Sequence, residues 1–474
     1  MPPRSLFIFK YGGIGAIITT RDGWVYVSEP YEGFPAQKAG LLPGDKFLEI
    51  DGVSAEGKTT KDVSNVLKGQ PNTSVMVLIE RPGVEKPFEV NLIREEVKVS
   101  SVPYSAYVSD GIGYVKMKSF TRNVSKEIIE AINDLKKEST LEGLILDLRD
   151  NPGGLLNEAI RTTNIFVEKG VEVVNTKGKI KDWDKSYLTR SVPLDTNLPV
   201  VVLINSRSAS ASEIVSGAIQ DFDRGIVIGQ RSFGKGLVQQ TRKLSYNSQL
   251  KVTISKYYIP SGRCIQALDY SNRNEDGSVG KVPDSLRTAF TTKNGRIVYD
   301  GGGITPDIEL EPKKYSNILR SIVSKQFIFD YANQYFRNHD TIASPVSFDF
   351  DSLMYNDFKQ FLTDKDYEYQ TNTEKAIEDL EDEAEKEKYA EDIQQEIDDL
   401  IAKMERSKNN DIDRYRNEIS EILELEIVKR FYYQKGAIAS SLKHDDELEE
   451  AIDILENMDR YRSILTDYKQ ENEE

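Results

Sequence analysis

The chain has 474 residues, of which 30% are charged and 38% hydrophobic, with a mean hydropathy of −0.50. This length predicts about three domains, and no apolar run is long enough to span a bilayer. The formal charge of −16 comes from the last part of the chain, where residues 371–474 carry 32 acidic and 15 basic side chains. Because no basic patch dominates, the composition argues against a nucleic-acid partner.

The cysteine and histidine content narrows the possible catalytic and metal-binding chemistry further. The single cysteine, Cys264, excludes an intramolecular disulfide framework, and the sequence gives no support for a metal site or a cofactor. Both histidines, His339 and His444, lie in the polar last third, which makes a Ser-His-Asp hydrolase an awkward interpretation. Residues 1–11, a short N-terminal remnant, have only four consecutive apolar positions and do not match a signal peptide.

Residues 12–95 are predicted to form a small, separate, β-rich α+β domain. Its expected elements are three short strands and one helix, at 24–27, 46–50, 74–79 and 60–67. With glycine-rich turns at 12–15 and 39–45, this pattern resembles a PDZ domain.

The candidate binding element of this domain is the stretch Gly13-Ile14-Gly15. Successive backbone N–H groups in such a loop are suited to capture a terminal carboxylate while the peptide adds as a strand to a sheet edge. On local sequence alone the same residues also fit an ordinary glycine-rich hairpin. The sequence therefore predicts Gly13, Ile14 and Gly15 as peptide-carboxylate ligands.

Residues 96–312 alternate apolar strand patterns with helical stretches. The expected strands and helices lie at 112–116, 143–148, 199–205 and 225–228, and at 125–137, 155–166 and 209–221. This alternation is typical of a layered α/β core. A polar stretch within it, residues 270–283, is predicted to be an exposed loop.

The segment from 205 to 240 carries the candidate nucleophile and base. A serine is a poor nucleophile at its own pKa and needs an adjacent base. Lysine serves as that base when desolvation lowers its pKa. Lys235 lies between two glycines, and the apolar Phe233 and Leu237 outside them are expected to exclude water. Gln239 is placed to accept a hydrogen bond from this lysine and hold it.

Each of these residues also has an ordinary structural interpretation. Ser210 and Glu213 match a capping box at a helix start, which on its own is more frequent than a nucleophile. Ser208 and Ser212 compete with Ser210, and the glycines around the lysine are most often part of a turn with a solvated lysine. A phosphate loop is absent, because Gly236 stands where that motif requires serine or threonine.

A second motif joins the buried-strand pattern at 143–148 to the loop 150–154, Asp-Asn-Pro-Gly-Gly. Such a loop can offer free backbone N–H groups to a developing oxyanion, although in isolation it is also an ordinary turn. A second donor would be the N–H of Ala211 at a helix start, where the dipole favours negative charge.

Together these motifs resemble the carboxyl-terminal processing proteases, also called tail-specific proteases. The matching segments occur in the family's order, at 146–154, 208–214, 220–221, 233–239, 257–266 and 302–308. The resemblance implies that Ser210 is the nucleophile, Lys235 the general base and Gln239 the partner that orients the lysine. It also implies a supporting role for Asp221 and an oxyanion hole of Ala211 with either Gly153 or Gly154.

The resemblance sets further expectations. It implies a serine endopeptidase with a crotonase-like core that prefers apolar, poorly structured substrate tails, in the periplasm or at a membrane. A cytoplasmic location, a homo-oligomer and an adaptor stay open. A peptide-binding scaffold without protease activity and a carrier of apolar ligands are the alternatives, and the presence of Ser210, Lys235 and Gln239 disfavours both.

Residues 313–474 are predicted to form an acidic, mostly helical domain. Apolar side chains recur at helical spacing over 393–404 and 448–458, and we expect them to pack on each other or on the protease core. Residues 378–391 are so acidic that we expect a solvated helix face or a flexible segment. No residue of this region is predicted to take part in the chemistry.

Overall fold

The computed structural model describes residues 12–246, 248–273 and 276–466, so the predicted remnant at 1–11 lies outside the described residues. The chain forms two compact units, which combine residues up to Lys98 with Lys314–His444, and Val99–Lys313 with the part that follows Asp445. The predicted boundaries at 95/96 and 312/313 lie close to these changes of unit. The predicted domain 313–474, however, is divided between the two units at Asp445.

The first part of the chain is an antiparallel sheet with two short helices. Its elements in chain order are β1 (Ala16–Arg21), β2 (Trp24–Pro30), α1 (Pro35–Lys38), β3 (Lys46–Ile50), β4 (Val53–Ser54), α2 (Thr60–Leu67), β5 (Ser74–Glu80) and β6 (Phe88–Ile93). The sheet order is β1-β2-β3-β5-β6, with β4 paired to β3. The three strands and the helix expected here are confirmed, and β1 is an edge strand of the sheet.

The second unit contains the α/β core. Its elements up to Lys313 are β7 (Tyr104–Ser109), β8 (Ile112–Lys116), α3 (Val124–Glu138), β9 (Gly143–Asp147), α4 (Leu156–Phe166), β10 (Glu172–Gly178), β11 (Lys185–Leu188), β12 (Val200–Ile204), α5 (Ala211–Asp221), β13 (Ile226–Gly229), β14 (Leu237–Lys243), β15 (Gln249–Tyr258), β16 (Leu268–Arg273), β17 (Val279–Lys281), β18 (Ala289–Thr291), β19 (Ile297–Tyr299) and β20 (Ile308–Glu309). The main sheet has the order β20-β13-β12-β9-β8-β7, and a second sheet has the order β11-β10-β15-β14.

Burial explains why the main sheet forms where the sequence predicted it. Strand β12 is continuously apolar, β9 is apolar over 144–146 and ends at Asp147, and both strands are completely buried, as expected for parallel strands covered on both faces. Every residue of α5 is also buried, so the helix that follows β12 is held rigidly in the core. The predicted α/β core is confirmed.

The prediction of an exposed loop at 270–283 is wrong in part. Strands β16 and β17 pair as an antiparallel hairpin across it, and residues 274 and 275 lie outside the described residues. The hairpin escaped prediction because the segment between Tyr270 and Val279 is a polar run that contains a glycine, which is typical of a loop.

The rest of the chain is helical, as predicted. Its helices are α6 (Asn317–Ser324), α7 (Phe327–Asn338), α8 (Ser352–Phe361), α9 (Asn372–Glu387), α10 (Ala390–Lys408), α11 (Asp411–Arg414), α12 (Arg416–Ser441), α13 (Asp446–Glu456) and α14 (Met458–Thr466). Helices α6 to α8, α11 and α12 share an aromatic-rich core. No helix in the described ranges has both the length and the apolar character needed to cross a bilayer.

The two predicted apolar stripes differ in how they are covered. In α13, Leu448 and Leu455 are buried, whereas in α10 Ile397 is buried and Leu400 keeps 47% of its surface exposed. The acidic residues 378–391 form the exposed part of α9 and the turn into α10. The expectation of a solvated helix face is therefore confirmed for that segment.

A buried arginine explains why the chain beyond Asp445 joins the α/β unit. Arg149 donates to Asp147 at the end of β9 (2.7 Å) and to Asp445 and Glu447 at the start of α13 (2.6 Å each). Burial alone would raise the pKa of the Asp147 carboxyl, but Arg149 and Lys116 outweigh it and hold that pKa well below its usual range. The three carboxylates thus tie α13 to the strand that precedes the glycine loop.

Candidate active site and peptide groove

Ser210 occupies a strained turn between β12 and α5. Its backbone torsions are φ 57° and ψ −109°, a conformation that costs a non-glycine residue about 1–3 kcal/mol. Its side chain is half-buried, and it forms a capping box with Glu213 at the start of α5. Strain of this kind is common where a fold presents a nucleophile at a sharp strand-to-helix turn.

The two neighbouring serines have structural partners instead. Ser208 and Ser212 are fully buried. The Ser208 hydroxyl donates to the Leu148 carbonyl and the Ser212 hydroxyl to the Asn151 carbonyl, each at 2.8 Å. Of the three candidates, Ser210 alone has a side chain that is not fully buried.

Glu213 joins the serine turn to the lysine loop. Its Oε2 accepts from the backbone N–H groups of Ser210 (2.6 Å) and Lys235 (2.9 Å). Its Oε1 accepts from the Ser232 hydroxyl and the Gly234 N–H, both at 2.6 Å. Both amide nitrogens of the predicted dyad therefore lie within hydrogen-bond distance of one oxygen atom.

The carboxyl of Glu213 is completely enclosed, and burial raises its pKa. Four donors surround it and no described residue forms an ion pair with it, so the energy that holds it is that of hydrogen bonds to a charged acceptor, about 1.5–3 kcal/mol each. One such bond, from Ser210, is of the same size as the backbone strain at that residue. The carboxylate thus offsets the strain that exposes the serine.

Close backbone packing explains the two glycines around Lys235. A Cβ on Gly234 would lie 2.2 Å from the Cβ of Ala267, and one on Gly236 would lie 2.6 Å from the Gln266 nitrogen. Gln266 also fixes the loop, because its Oε1 accepts from the Gly236 N–H at 2.8 Å. The predicted close approach is confirmed, and its partner is the 257–266 motif.

The predicted desolvation of Lys235 is wrong for this conformation. The Lys235 side chain is exposed, and Phe233, which we expected to exclude water, keeps 49% of its surface exposed. No hydrogen bond links Lys235 to Ser210 within the described residues. The buried glycines hold the backbone in place, whereas the side chain extends outward into water, where a charged ammonium is better solvated.

Gln239 lies in β14 and is also exposed. It pairs with Thr253 of β15 just after a register shift between Val238 and Gln239. The structure records no contact of its amide with Lys235, so its orienting role stays a prediction.

Asp221 lies at the opposite end of α5, about 16 Å along the helix from Ser210. Its carboxylate accepts from Arg263 (2.8 Å) and from the Ser261 N–H (2.9 Å). Burial raises the pKa of Asp221, and the Arg263 guanidinium partly opposes that rise. Asp221 thus fixes the turn that leads into Gln266 and has no recorded contact with Ser210 or Lys235, so its supporting role in the chemistry stays a prediction.

The expected oxyanion donors lie beside Ser210. A Cβ on Gly153 would lie 2.8 Å from the Ala211 nitrogen, so the glycine loop packs directly against the start of α5. The Gly153 N–H donates to Asn151 Oδ1 at 2.9 Å. The Gly154 N–H has no acceptor among the described residues, which makes it the more accessible of the two glycine donors.

In the first unit, a cavity of about 260 Å³ lies between the glycine turn, β1 and α2. The Gly13 N–H is already used, because it donates to the Glu95 carbonyl at 2.9 Å. The N–H groups of Ile14 and Gly15 have no acceptor within the described residues. Lys68, whose side chain is exposed, lines the same cavity. The groove thus combines free N–H groups, a cation and the edge of β1.

Glu213, Ser232 and Gln266 are the site residues that sequence analysis missed. Glu213 was visible only as the third helical residue of a capping box, and that interpretation is correct as far as the Ser210 N–H is concerned. Nothing in the local sequence shows that the same carboxylate also binds residues 232–235. The motifs at 233–239 and 257–266 were the only signal that these segments meet.

Three family models match separate parts of the chain. Residues 26–81 match a PDZ domain, residues 111–271 the peptidase family S41, and residues 318–455 the C-terminal helical domain of a probable PDZ-protease. The predicted fold class is confirmed: an N-terminal PDZ domain, an α/β protease core and a helical C-terminal region. In this order of domains the chain is similar to a PDZ-protease.

Two curated relatives are each similar to about half of the chain. The carboxy-terminal-processing protease of Bartonella bacilliformis is 39% identical over 262 residues, 55% of this chain and 60% of that protein. The probable CtpA-like serine protease of Staphylococcus aureus is 36% identical over 254 residues, 53% of this chain and 50% of that protein. The chain is thus similar to carboxyl-terminal processing proteases, and it spans about half of the length of these relatives.

Among solved structures, the photosystem II D1 C-terminal processing protease is 29% identical. The match covers 64% of this chain and 73% of that one, with a TM-score of 0.36.

We predict that Glu213→Gln leaves the protein folded but lowers kcat on a peptide substrate by about a hundredfold, the scale of loss expected when reacting groups are misplaced by about 1 Å. An amide has one accepting oxygen, so its NH₂ group must face two of the four donors. Peptide cleavage and thermal melting measure the two effects.

Glu158→Gln is the matched control. Glu158 is also buried and accepts from the Ser125 hydroxyl at 2.8 Å, but it contacts neither the serine turn nor the lysine loop. The Glu158→Gln variant should therefore lose thermal stability and keep the wild-type kcat. If Glu213→Gln kept kcat within a few-fold of wild type, the carboxylate would have no role in placing the dyad.

Proposed function

We propose that this chain is a serine-type endopeptidase that engages the C-terminal part of polypeptide substrates and cleaves them through a Ser210–Lys235 dyad. One observation carries the proposal: a single buried carboxylate, Glu213, binds the backbone of both residues, while Ser210 is only half-buried at a strained helix start. A serine that only caps a helix needs neither the backbone strain nor a second chain segment bound to the same carboxylate.

The proposed reaction begins when the Lys235 side chain turns from water towards Ser210. In that less solvated position its neutral amine is favoured, and it takes the hydroxyl proton as Oγ attacks the scissile carbonyl carbon. The N–H groups of Ala211 and the glycine loop stabilise the oxyanion. The lysine then gives its proton to the leaving amine, and water activated by the same lysine releases the acyl group.

Exposed side chains change rotamer in picoseconds to nanoseconds, so reorientation of Lys235 adds no slow step by itself. What must already be in place is the backbone, and Glu213, Gln266 and the glycine contacts supply that. The exposed lysine therefore describes a state from which the dyad closes when substrate excludes water.

The PDZ groove supports substrate selection by the C-terminus. A peptide that adds to the edge of β1 would bring its terminal carboxylate to the N–H groups of Ile14 and Gly15 and to Lys68. Apolar C-terminal side chains suit the cavity, whose lining includes Ile14, Ile18 and Leu67. Periplasmic or membrane-associated action and assembly with further copies or an adaptor remain part of the proposal on family resemblance alone.

Ser210→Ala should abolish cleavage of an unstructured polypeptide with an apolar C-terminus, with a loss of several orders of magnitude in kcat. Ser208→Ala and Ser212→Ala should keep measurable turnover, because those hydroxyls bind backbone carbonyls, although each substitution should lower thermal stability. Mass spectrometry of the products measures all three variants. Turnover in Ser210→Ala at the level of the other two variants would refute the assignment.

A peptide with a free C-terminal carboxylate should be cleaved with a lower KM than its amidated twin, because amidation removes the charge that the groove binds. Lys68→Glu should remove most of that difference, whereas Lys61→Glu, an exposed lysine on α2 that does not line the cavity, should preserve it. Equal KM values for the acid and the amide in the wild-type protein would exclude the groove as a carboxylate site.

A further inference from the structure

The hairpin of β14 and β15, here called the ribbon, carries unbalanced charge. Residues 237–258 contain four basic residues and no acidic residue. The ribbon begins two residues after Lys235 and includes Gln239, so it is continuous with the candidate active site. Strand β14 is also the last strand of its sheet, which leaves its outer edge open to a further strand.

The strand register places all three lysines of the ribbon on one face. Gln239 pairs with Thr253, Thr241 with Lys251 and Lys243 with Gln249. Directly opposed residues and alternate residues of one strand share a face, so Lys243 and Lys251 lie on the face of Gln239. Leu237, two residues before Gln239, is opposite Lys256 and brings that lysine to the same side. We call this the lysine face.

The lysine face has no internal counter-charge. Lys243, Lys251 and Lys256 are exposed and form no ion pair with any residue in the described ranges. On its other side Lys256 is directly opposite Lys177 of β10, and like charges in that position destabilise a sheet. Lys177 lies over the Tyr258 ring at 5.0 Å, which offsets part of this cost and leaves the positive charge in place.

We propose that the lysine face binds acidic residues of the polypeptide substrate and so makes acidity near the cleaved bond a specificity determinant. This inference rests on the proposed function. An extended chain that passes Lys235 and follows β14 advances about 3.3 Å per residue, in step with the ribbon. It meets the lysines about two to eight residues from the candidate dyad, where its alternate side chains face Lys243, Lys251 and Lys256.

The size of the effect follows from the exposure of these groups. Exposed ion pairs are individually weak, and opposite charges on neighbouring strands contribute modestly for each pair. Two or three such pairs together correspond to a preference of about tenfold in kcat/KM, mostly through KM, because the lysines touch no reacting atom. The preference should decline as salt rises from low to physiological concentration and above.

The test uses twin peptides that differ only in charge. All peptides end in the same apolar residues and share the same scissile segment. Within a pair, one peptide has three glutamates two to eight residues from the cleaved bond, and its twin has three glutamines there. One pair carries these residues before the cleaved bond, and a second pair carries them after it. The measured quantity is the ratio of kcat/KM for the glutamate peptide to that for its glutamine twin. Wild-type protein should give a ratio of about ten on one side of the cleaved bond.

The double variant Lys243→Glu/Lys251→Glu should bring this ratio to one or below. Lys126→Gln/Lys169→Gln, which removes two exposed charges of the same unit outside the ribbon, should keep the wild-type ratio. The salt dependence of the ratio in wild-type protein provides a second measurement that needs no variant.

A ratio of one in wild-type protein on both sides of the cleaved bond would overturn the inference, as would an unchanged ratio in the ribbon variant. A ribbon variant that changed the mass of the assembly while keeping the ratio would show that the lysine face binds another copy of the chain, and would also overturn it. If wild-type protein cleaved neither twin, the proposed function itself would fail, which is a distinct result.

Discussion

The buried carboxylate of Glu213 is the interaction on which the candidate site depends. It accepts hydrogen bonds from residues that are distant in sequence, Ser210 on one side and Ser232 to Lys235 on the other. Without it, the strained serine and the lysine loop would have no common anchor. Its desolvation cost is met by four hydrogen-bond donors, and it forms no ion pair with any residue that the structure describes.

Other contacts in the core hold the segments around Glu213 in place. The glycine loop packs against the start of α5, Gln266 holds the lysine loop, and Asp221 with Arg263 fixes the turn that precedes Gln266. Arg149 joins the strand before the glycine loop to α13 through three carboxylates. The family motifs are therefore spread along the chain because each one contributes backbone to the same small volume.

Sequence analysis could predict what local chemistry decides. Continuous apolar runs located β9 and β12, and the spacing of motifs identified Ser210 and Lys235. It could not predict the exposed rotamer of Lys235, because water and substrate decide where that ammonium lies. It also missed the lysine-bearing ribbon, since β14 from Gln239 onward and β15 up to Thr253 are exposed on both faces and no burial imposes an apolar alternation there. The attachment of α13 to the core depends on Arg149 meeting carboxylates almost 300 residues away, which no local pattern reveals.

The central claim is that Lys235 becomes the neutral base of Ser210 although its side chain is exposed here. The most direct measurement is the rate at which a fluorophosphonate labels Ser210, followed by mass spectrometry as a function of pH. Wild-type protein should show labelling that rises with pH, because Oγ attacks only when the lysine can take its proton. Lys235→Arg should be as unreactive as Lys235→Ala, because arginine keeps its proton. Labelling of Lys235→Arg at a rate near that of wild type would show that the residue acts only as a fixed charge, and would contradict the dyad.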